Sequence, residues 1–266
     1  MKLKPVKSKK DVKLGDAHAR WPDNGKTEAQ LERLSQKESA RISELQRVFY
    51  ADARHALLIV LQGRDASGKD GTIRKVFSSV NPQGCIVSSF KVPTEYEQRH
   101  DFLWRIHQHV PPRGMIGIFN RSHYEDILVP RVHDLVSKKV WTARYDQIND
   151  FERMLSENHV VILKFMLHIS HDEQKKRFEE RLVDESKNWK FRVGDLDDRK
   201  HWDLFTKAYS GILENTSTEW APWYIVPADD KDLRDVLVAR TVADTLESLD
   251  LRYPKPDPSL AGIRIE

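Results

Sequence analysis

The sequence predicts a three-layer α/β/α protein: an open, parallel, five-stranded sheet with helices on both faces and a helical lid. Three observations predict it. Short apolar runs of strand length alternate with longer helix-like stretches, the order that builds parallel sheets. The first run, residues 56–62, leads directly into Gly63-Arg-Asp-Ala-Ser-Gly-Lys69, a match to G-x-x-x-x-G-K. The connection between the fourth and fifth runs is too long for one crossover helix, so it holds an insertion.

Taken in order, residues 1–26 read as a basic tail. Its first 13 residues carry six lysines and one acid, Asp11, and are expected to be solvated and mobile. Residues 27–53 place Leu31, Leu34, Ile42, Leu45, Val48 and Phe49 at the spacing of an amphipathic helix. Strands are expected at 56–62, 85–90, 115–119, 160–167 and 223–226, helices at 68–79, 95–109, 125–136, 142–157, 172–185, 197–214 and 233–249. Tryptophans and charges crowd residues 171–220, which places the helical lid at about 171–215. The domain built on this loop then covers 27–253, and the proline-containing residues 254–266 form an extended strap.

Composition bounds the function. At 266 residues, 39% hydrophobic with 7 Trp and 10 Phe, the chain can bury a sizeable core. The longest apolar runs, 56–61 and 160–167, fall short of a membrane span, and no apolar stretch follows the basic start as a secretory signal would. A lone cysteine, Cys85, excludes an internal disulfide and suits a reducing, cytoplasmic compartment. Net charge is only +3, so a polyanionic partner must be held by a local concentration of Lys and Arg, and nucleic acid is not expected.

The phosphate loop carries the chemistry. Gly63, Gly68 and Gly71 let the backbone curl, the amides near Ala66 and Ser67 turn inward, and the following helix adds positive potential. Lys69 supplies a point charge for the outer phosphates. Asp70 stands where a Ser or Thr usually ligates magnesium. Asp65, inside the loop, would repel phosphate unless a divalent cation lies between them, so it is a candidate magnesium ligand; capping a turn is its alternative role.

A second block, Met115-Ile-Gly-Ile-Phe-Asn-Arg-Ser-His-Tyr-Glu-Asp126, brings polar residues to the C-terminal end of a buried strand, where open α/β sheets bind ligands. With the phosphate loop, Asn81-Pro-Gln-Gly84, Pro93-Thr-Glu and Asp101-Phe-Leu-Trp-Arg105, it resembles the polyphosphate kinase 2 family over roughly residues 54–253. The chain is most similar to the single-domain subgroup that accepts both mono- and diphosphates, partly because Asn120-Arg121 replaces the Asp-Arg of other subgroups. The resemblance implies a thymidylate/adenylate kinase-like fold, inorganic polyphosphate as donor, AMP and ADP as acceptors giving ADP and ATP, magnesium (or manganese) as cofactor, and a homo-oligomer. It implies that Lys69 and Asp65 are the loop lysine and metal-binding acid, that Arg121 contacts phosphate, and that Arg181 in Lys176-Arg-Phe-Glu-Glu-Arg-Leu182 is the catalytic arginine. Asn120 cannot supply the charge of a Walker B aspartate, so Glu125 or Asp126 compensates, with Asp126 preferred as the second metal ligand.

Phosphoryl transfer between two polyanions needs positioning and charge neutralisation more than a general base. Lys69, Arg121 and Arg181 are expected to supply that, with Arg105 and Arg177 as further phosphate contacts. Arg177 and Arg181 share a helix face, although Glu173 and Glu180 could pair with them instead. Lys75 and Arg131 are candidates to extend a polyphosphate track. His107 and His109, two apart on an expected helix, point apart and do not suggest zinc. Two other readings stay open: an ATP-dependent nucleoside monophosphate kinase, and a non-catalytic nucleotide- or polyphosphate-binding regulator suggested by Asp70 and Asn120.

Overall fold

The computed structural model describes residues 1–22, 25–261 and 263–265. The expected sheet is present, five parallel strands in the order β2-β3-β1-β4-β5. They are β1 (Ala56–Gly63), β2 (Cys85–Ser89), β3 (Ile116–Asn120), β4 (Val160–His168) and β5 (Trp223–Pro227). β1 is central and buried along its whole length, with Leu61 beside Asn120 of β3 and Gly63 beside Leu167 of β4.

Alternation along the strands divides the core. Leu57, Ile59 and Leu61 face one apolar layer with Ile42, Phe49, Val76, Val238 and Val242, from α1 (Glu28–Asp52), α2 (Lys69–Val76) and α10 (Lys231–Glu247). Leu58 and Val60 face the other with Ile127, Ile148, Phe151 and Ile212, from α4 (Glu125–Val132), α5 (Lys138–Glu157) and α9 (Trp202–Thr216). The α1 start is fixed by Thr27, whose hydroxyl accepts from the Gln30 amide while the Gln30 side chain accepts from the Thr27 amide.

Between β4 and β5 lie α6 (His171–Val183), α7 (Glu185–Asn188), α8 (Val193–Lys200) and α9. The helix expected over 197–214 is therefore two, broken at His201. The one expected over 95–109 is only a 3-10 turn, Glu97–Arg99, and a short α3 (Trp104–His107). Asp101 explains it: its carboxylate accepts from the amides of Leu103 and Trp104 and restarts the chain in a new direction.

The basic N-terminal segment is packed, not free. Leu3 and Val6 are buried, Pro5 forms an antiparallel bridge with Tyr224, and the Val6 amide donates to the Trp223 carbonyl at 2.8 Å. The Ser217 hydroxyl donates to the Val6 carbonyl at 2.6 Å. Two apolar side chains and one edge pairing anchor a stretch whose charge count had suggested a solvated tail. Farther on, His168 donates to the Gly15 carbonyl at 3.0 Å, and the Asp229 amide to that of Ala19 at 3.2 Å. At the other end, the expected strap is exposed at Leu260, Ile263 and Ile265, while residues 262 and 266 lie outside the described residues. No helix among the described residues is long and apolar enough to cross a membrane.

Candidate active site

The loop between β1 and α2 curls as its glycines suggested. Ala66 and Gly68 take positive φ of 63° and 103°, and the Ser67 amide closes a turn onto the Arg64 carbonyl at 3.1 Å. The first amides of α2, at Lys69, Asp70 and Gly71, have no intrahelical acceptor and carry the positive end of the helix dipole. A side-chain carbon at position 63 would sit 2.6 Å from the Leu167 carbonyl, and one at 68 would sit 2.0 Å from the Arg234 guanidinium. Both glycines are needed for close approach.

Two arginines hold this loop from behind. Arg177 uses all five N–H groups on protein. Its Nε donates to Glu173 at 2.8 Å, its Nη1 to the carbonyls of Ala66 and Ser67, and its Nη2 to those of Ala228 and Asp229. It has no donor left for a phosphate, which corrects its expected role: it is a clamp. Arg234, buried in the first turn of α10, donates to the Ser67 carbonyl at 3.4 Å and pairs with Asp235, which accepts from Thr72 of α2.

In front of the loop the charges meet. Lys69 Nζ donates to the Gly63 carbonyl at 2.6 Å and the Arg64 carbonyl at 3.2 Å. Burial and the nearby Arg121 guanidinium lower its pKa to about 8. Arg121, strained at φ 63°, donates to Asp65 at 2.6 Å and lies 3.6 Å from Glu125. Burial opposes charge on Arg121, but Glu125 and Asp65 outweigh it and raise its pKa. Burial, with help from Asp65, raises the pKa of Glu125 and of Asp195 in α8. Arg181 of α6 reaches Asp195 at 3.9 Å. Asp195 thus lies in the cleft between two arginines, Arg181 of the lid and Arg121.

The remaining expected residues divide sharply. Asn120 donates to Asp70 at 2.7 Å, and Lys190 of the α7–α8 connection lies 3.8 Å from Asp70. Asp126 turns away from the loop: it pairs with Arg105 at 3.3 Å, while Arg144 donates to its carbonyl. Glu125, one residue earlier at the start of α4, is the acid that shares the site with Asp65. A helix turns successive side chains by about 100°, so only one of two adjacent acids can face the loop. Arg105 is buried between Asp126 and the Lys91 carbonyl, away from the loop. Lys75 pairs with Glu32 of α1 at 3.4 Å, and Arg131 donates to Tyr145 at 3.0 Å and lies over Trp141. Neither Lys75 nor Arg131 lines the cleft. His109 is hydrogen-bonded to Ser88 and His107 packs on the edge of Phe151, so they do not converge.

The cleft opens from the loop toward the lid, walled by Arg64, Leu128, Gln174, Trp202, Phe205 and Tyr209. Arg64 lies 3.7 Å over the Trp202 ring and donates to the Trp202 carbonyl and the Thr206 hydroxyl. Burial lowers its pKa to about 10. Sequence reasoning passed over Arg64, a variable position of the loop motif, and gave no signal for Arg234 or Asp195.

A buried polar hub sits behind β3. Lys164 of β4 donates to Glu152 at 2.5 Å, to the Tyr124 hydroxyl at 2.7 Å and to the Thr216 carbonyl at 2.7 Å. Glu152 also accepts from Tyr124 and His123. Burial pushes the Glu152 carboxyl up, but Lys164 and His123 outweigh it and hold its pKa low. These contacts tie α5, β4 and the end of α9 to the turn carrying Arg121.

Hard oxygen donors suit magnesium, which is usually held by one or two carboxylates together with substrate phosphates and water. Asp65 and Glu125, which face the two terminal nitrogens of Arg121, would supply that set. No group of three or more His, Cys, Asp or Glu side chains converges among the described residues, so phosphate oxygens would complete the shell.

Comparison with known proteins gives concordant results. A family model described as polyphosphate kinase 2 (PPK2) matches residues 24–254. An AMP/ADP-polyphosphate phosphotransferase of Meiothermus ruber is 51% identical over 242 residues, 91% of this chain and 90% of that one. An ADP-polyphosphate phosphotransferase of Rhodopseudomonas palustris is 47% identical over 231 residues, covering 82% and 80%. The crystal structure of polyphosphate kinase 2 from Arthrobacter aurescens superposes with a TM-score of 0.88 at 40% identity, covering 96% and 95%.

Proposed function

The chain belongs to the polyphosphate kinase 2 family, and from that premise we propose that it moves the terminal phosphoryl group of inorganic polyphosphate to AMP and ADP, reversibly, giving ADP and ATP. The observation that carries this is Lys69 and Arg121 meeting at one phosphate loop; the reading is supported further by the lid's Arg181, which pairs with Asp195 of the same cleft. Acceptance of both AMP and ADP is supported by the name of the Meiothermus ruber relative.

In this reading an oxygen of the acceptor's terminal phosphate attacks the last phosphorus of the chain, and the P–O bond to the next phosphate breaks. The attacking oxygen is already anionic near neutral pH, so no general base is required. Lys69 leaves the Gly63 carbonyl for phosphate oxygens, and Arg121 exchanges Asp65 for the transferring group. Arg181 closes from the lid and offsets the charge that builds on the equatorial oxygens. Asp65 and Glu125 would hold magnesium, or manganese in its place, whose chemistry is to neutralise phosphate charge. Cys85 is half-buried and unpaired, consistent with a reducing, cytoplasmic setting. We also propose a homo-oligomer, which light scattering tests.

The decisive experiment is luminescent detection of ATP from long-chain polyphosphate and magnesium, with AMP and ADP supplied separately. ATP from either acceptor supports the reading. Rapid reaction of ATP with a nucleoside monophosphate while polyphosphate stays inert would replace it with a monophosphate kinase. Binding without turnover of any donor would leave a regulator. Asp65→Asn should raise the magnesium concentration needed for half-maximal rate; an unchanged requirement returns Asp65 to capping the loop turn.

A further inference from the structure

Lysines recur at positions 4, 7, 10 and 13, every third residue of the N-terminal segment, and all four are exposed. Lys4, Lys10 and Lys13 gather around an open depression floored by Pro5, Val6 and Ile225, on the outer edge of β5. Two other lysines of the segment are neutralised: Lys2 pairs with Asp244 at 3.0 Å and Lys9 with Glu214 at 3.7 Å. Among the described residues, no carboxylate lies within 4.0 Å of Lys4, Lys10 or Lys13. The acid in the depression, Asp11, turns its Oδ2 onto the amides of Lys7 and Ser8 and the Ser8 hydroxyl. Its hydrogen bonds shape the turn that brings Lys10 and Lys13 back beside Lys4.

We propose that this patch is a second binding site for the polyphosphate chain, distant from the phosphate loop, that retains long chains between turnovers. The inference rests on the polyphosphate reading given above. Three observations favour a bare polyphosphate over other polyanions. Residues 1–13 contain no aromatic side chain on which a nucleic-acid base could stack. Of their apolar side chains, Leu3 and Val6 are buried and Met1 and Val12 are packed against the core, which leaves no wedge for a lipid surface. What the segment presents is a cluster of ammonium groups without carboxylate partners, which suits a chain bearing a negative charge on each phosphate.

The segment carrying the cluster is also held in place, so binding loses little conformational freedom. The Pro5–Tyr224 bridge and the Val6 amide fix its first arm. Its second arm continues within two residues of Lys13 to Gly15, whose carbonyl accepts from His168 at the end of β4. The next residue, Asp16, accepts from the amide of His171, the first residue of α6. The segment that carries the patch is therefore anchored, within three residues of Lys13, to the start of the lid.

The test uses the full chain carrying Lys4→Gln, Lys10→Gln and Lys13→Gln together, none of which touches the phosphate loop. For long-chain polyphosphate, KM should rise about tenfold and its salt dependence should flatten. For short linear polyphosphate and for the nucleotide, KM and kcat should stay at wild-type values. Equal effects on long and short donors, or none, would overturn the proposal. Direct binding without nucleotide gives a readout independent of turnover. Wild type should retain long-chain polyphosphate about tenfold more tightly than the triple variant, on the same electrostatic scale. Equal retention by both proteins sinks the proposal, as does equal competition by single-stranded DNA or by phosphatidylserine vesicles. If wild type binds long chains through the patch but produces no ATP, the functional reading fails and the patch stands.

Discussion

Asn120 Nδ2 donates to Asp70 Oδ1 at 2.7 Å, so the two positions where this chain leaves the usual phosphate-loop pattern are bonded to each other. Asn120→Asp alone sets a carboxylate against Asp70 and should lower kcat/KM. Adding Asp70→Thr should recover the loss, with a coupling of about 1 kcal/mol between the two sites. Strictly additive effects on kcat/KM would show that the pair does not act as a unit.

The lowered pKa of Lys69 gives a pH dependence with a definite sign. The side chain is charged below about 8 and neutral above it in the free protein. Only the charged form attracts phosphate, so kcat/KM for the donor should fall as pH rises through about 8. Bound phosphates favour the charged form, so the fall in kcat should lie at higher pH. A profile of kcat/KM that stays flat to pH 10 on the usual lysine scale would contradict this placement.

Arg177 and Arg181 sit one helical turn apart and should behave oppositely. Arg177→Ala leaves the carbonyls of Ala66, Ala228 and Asp229 without that donor and Ser67 with Arg234 alone, and should cost about 3 kcal/mol of stability, read as a lowered Tm. Arg181→Ala should leave stability within about 0.5 kcal/mol while kcat drops on the order of a thousandfold. Equal Tm losses in both variants would refute the division.

Lys164→Met takes the buried lysine from Glu152, leaving that carboxylate only His123 and Tyr124, and should cost about 3 kcal/mol in chemical denaturation. Adding Glu152→Leu removes that charge and should restore most of the stability. If activity stays low in the restored protein, the hub positions the Arg121 turn; if it returns with stability, the hub only supports the fold.

The sheet was legible because its signals are local. The central strand β1 is an apolar run buried along its length, the other strands are largely apolar, and the loop motif is fixed by glycines whose need is visible in φ and in clearance at residues 63 and 68. Helix limits were less so where a side chain redirects the backbone, as Asp101 does before α3. The site was legible where residues belong to the loop or follow a strand. It was not legible where rotation decides, as between Glu125 and Asp126, or where a distant element supplies the partner. Arg177 looked like a phosphate ligand because its acceptors are backbone carbonyls, to which residue identity gives no clue. The lysines of residues 1–13 looked like a free tail because charge counting does not register Leu3 and Val6 beneath them.

The edge of β5 has its own consequence. Pro5, bridged to Tyr224, has no amide hydrogen to offer a further strand, so the N-terminal segment both covers that edge and ends the pairing there. A chain shortened to begin near α1 would keep its phosphate loop but leave the backbone of Trp223–Pro227 open to recruit a strand from another molecule. Trimming this apparently dispensable lead sequence would turn a well-behaved enzyme into one prone to stick to itself.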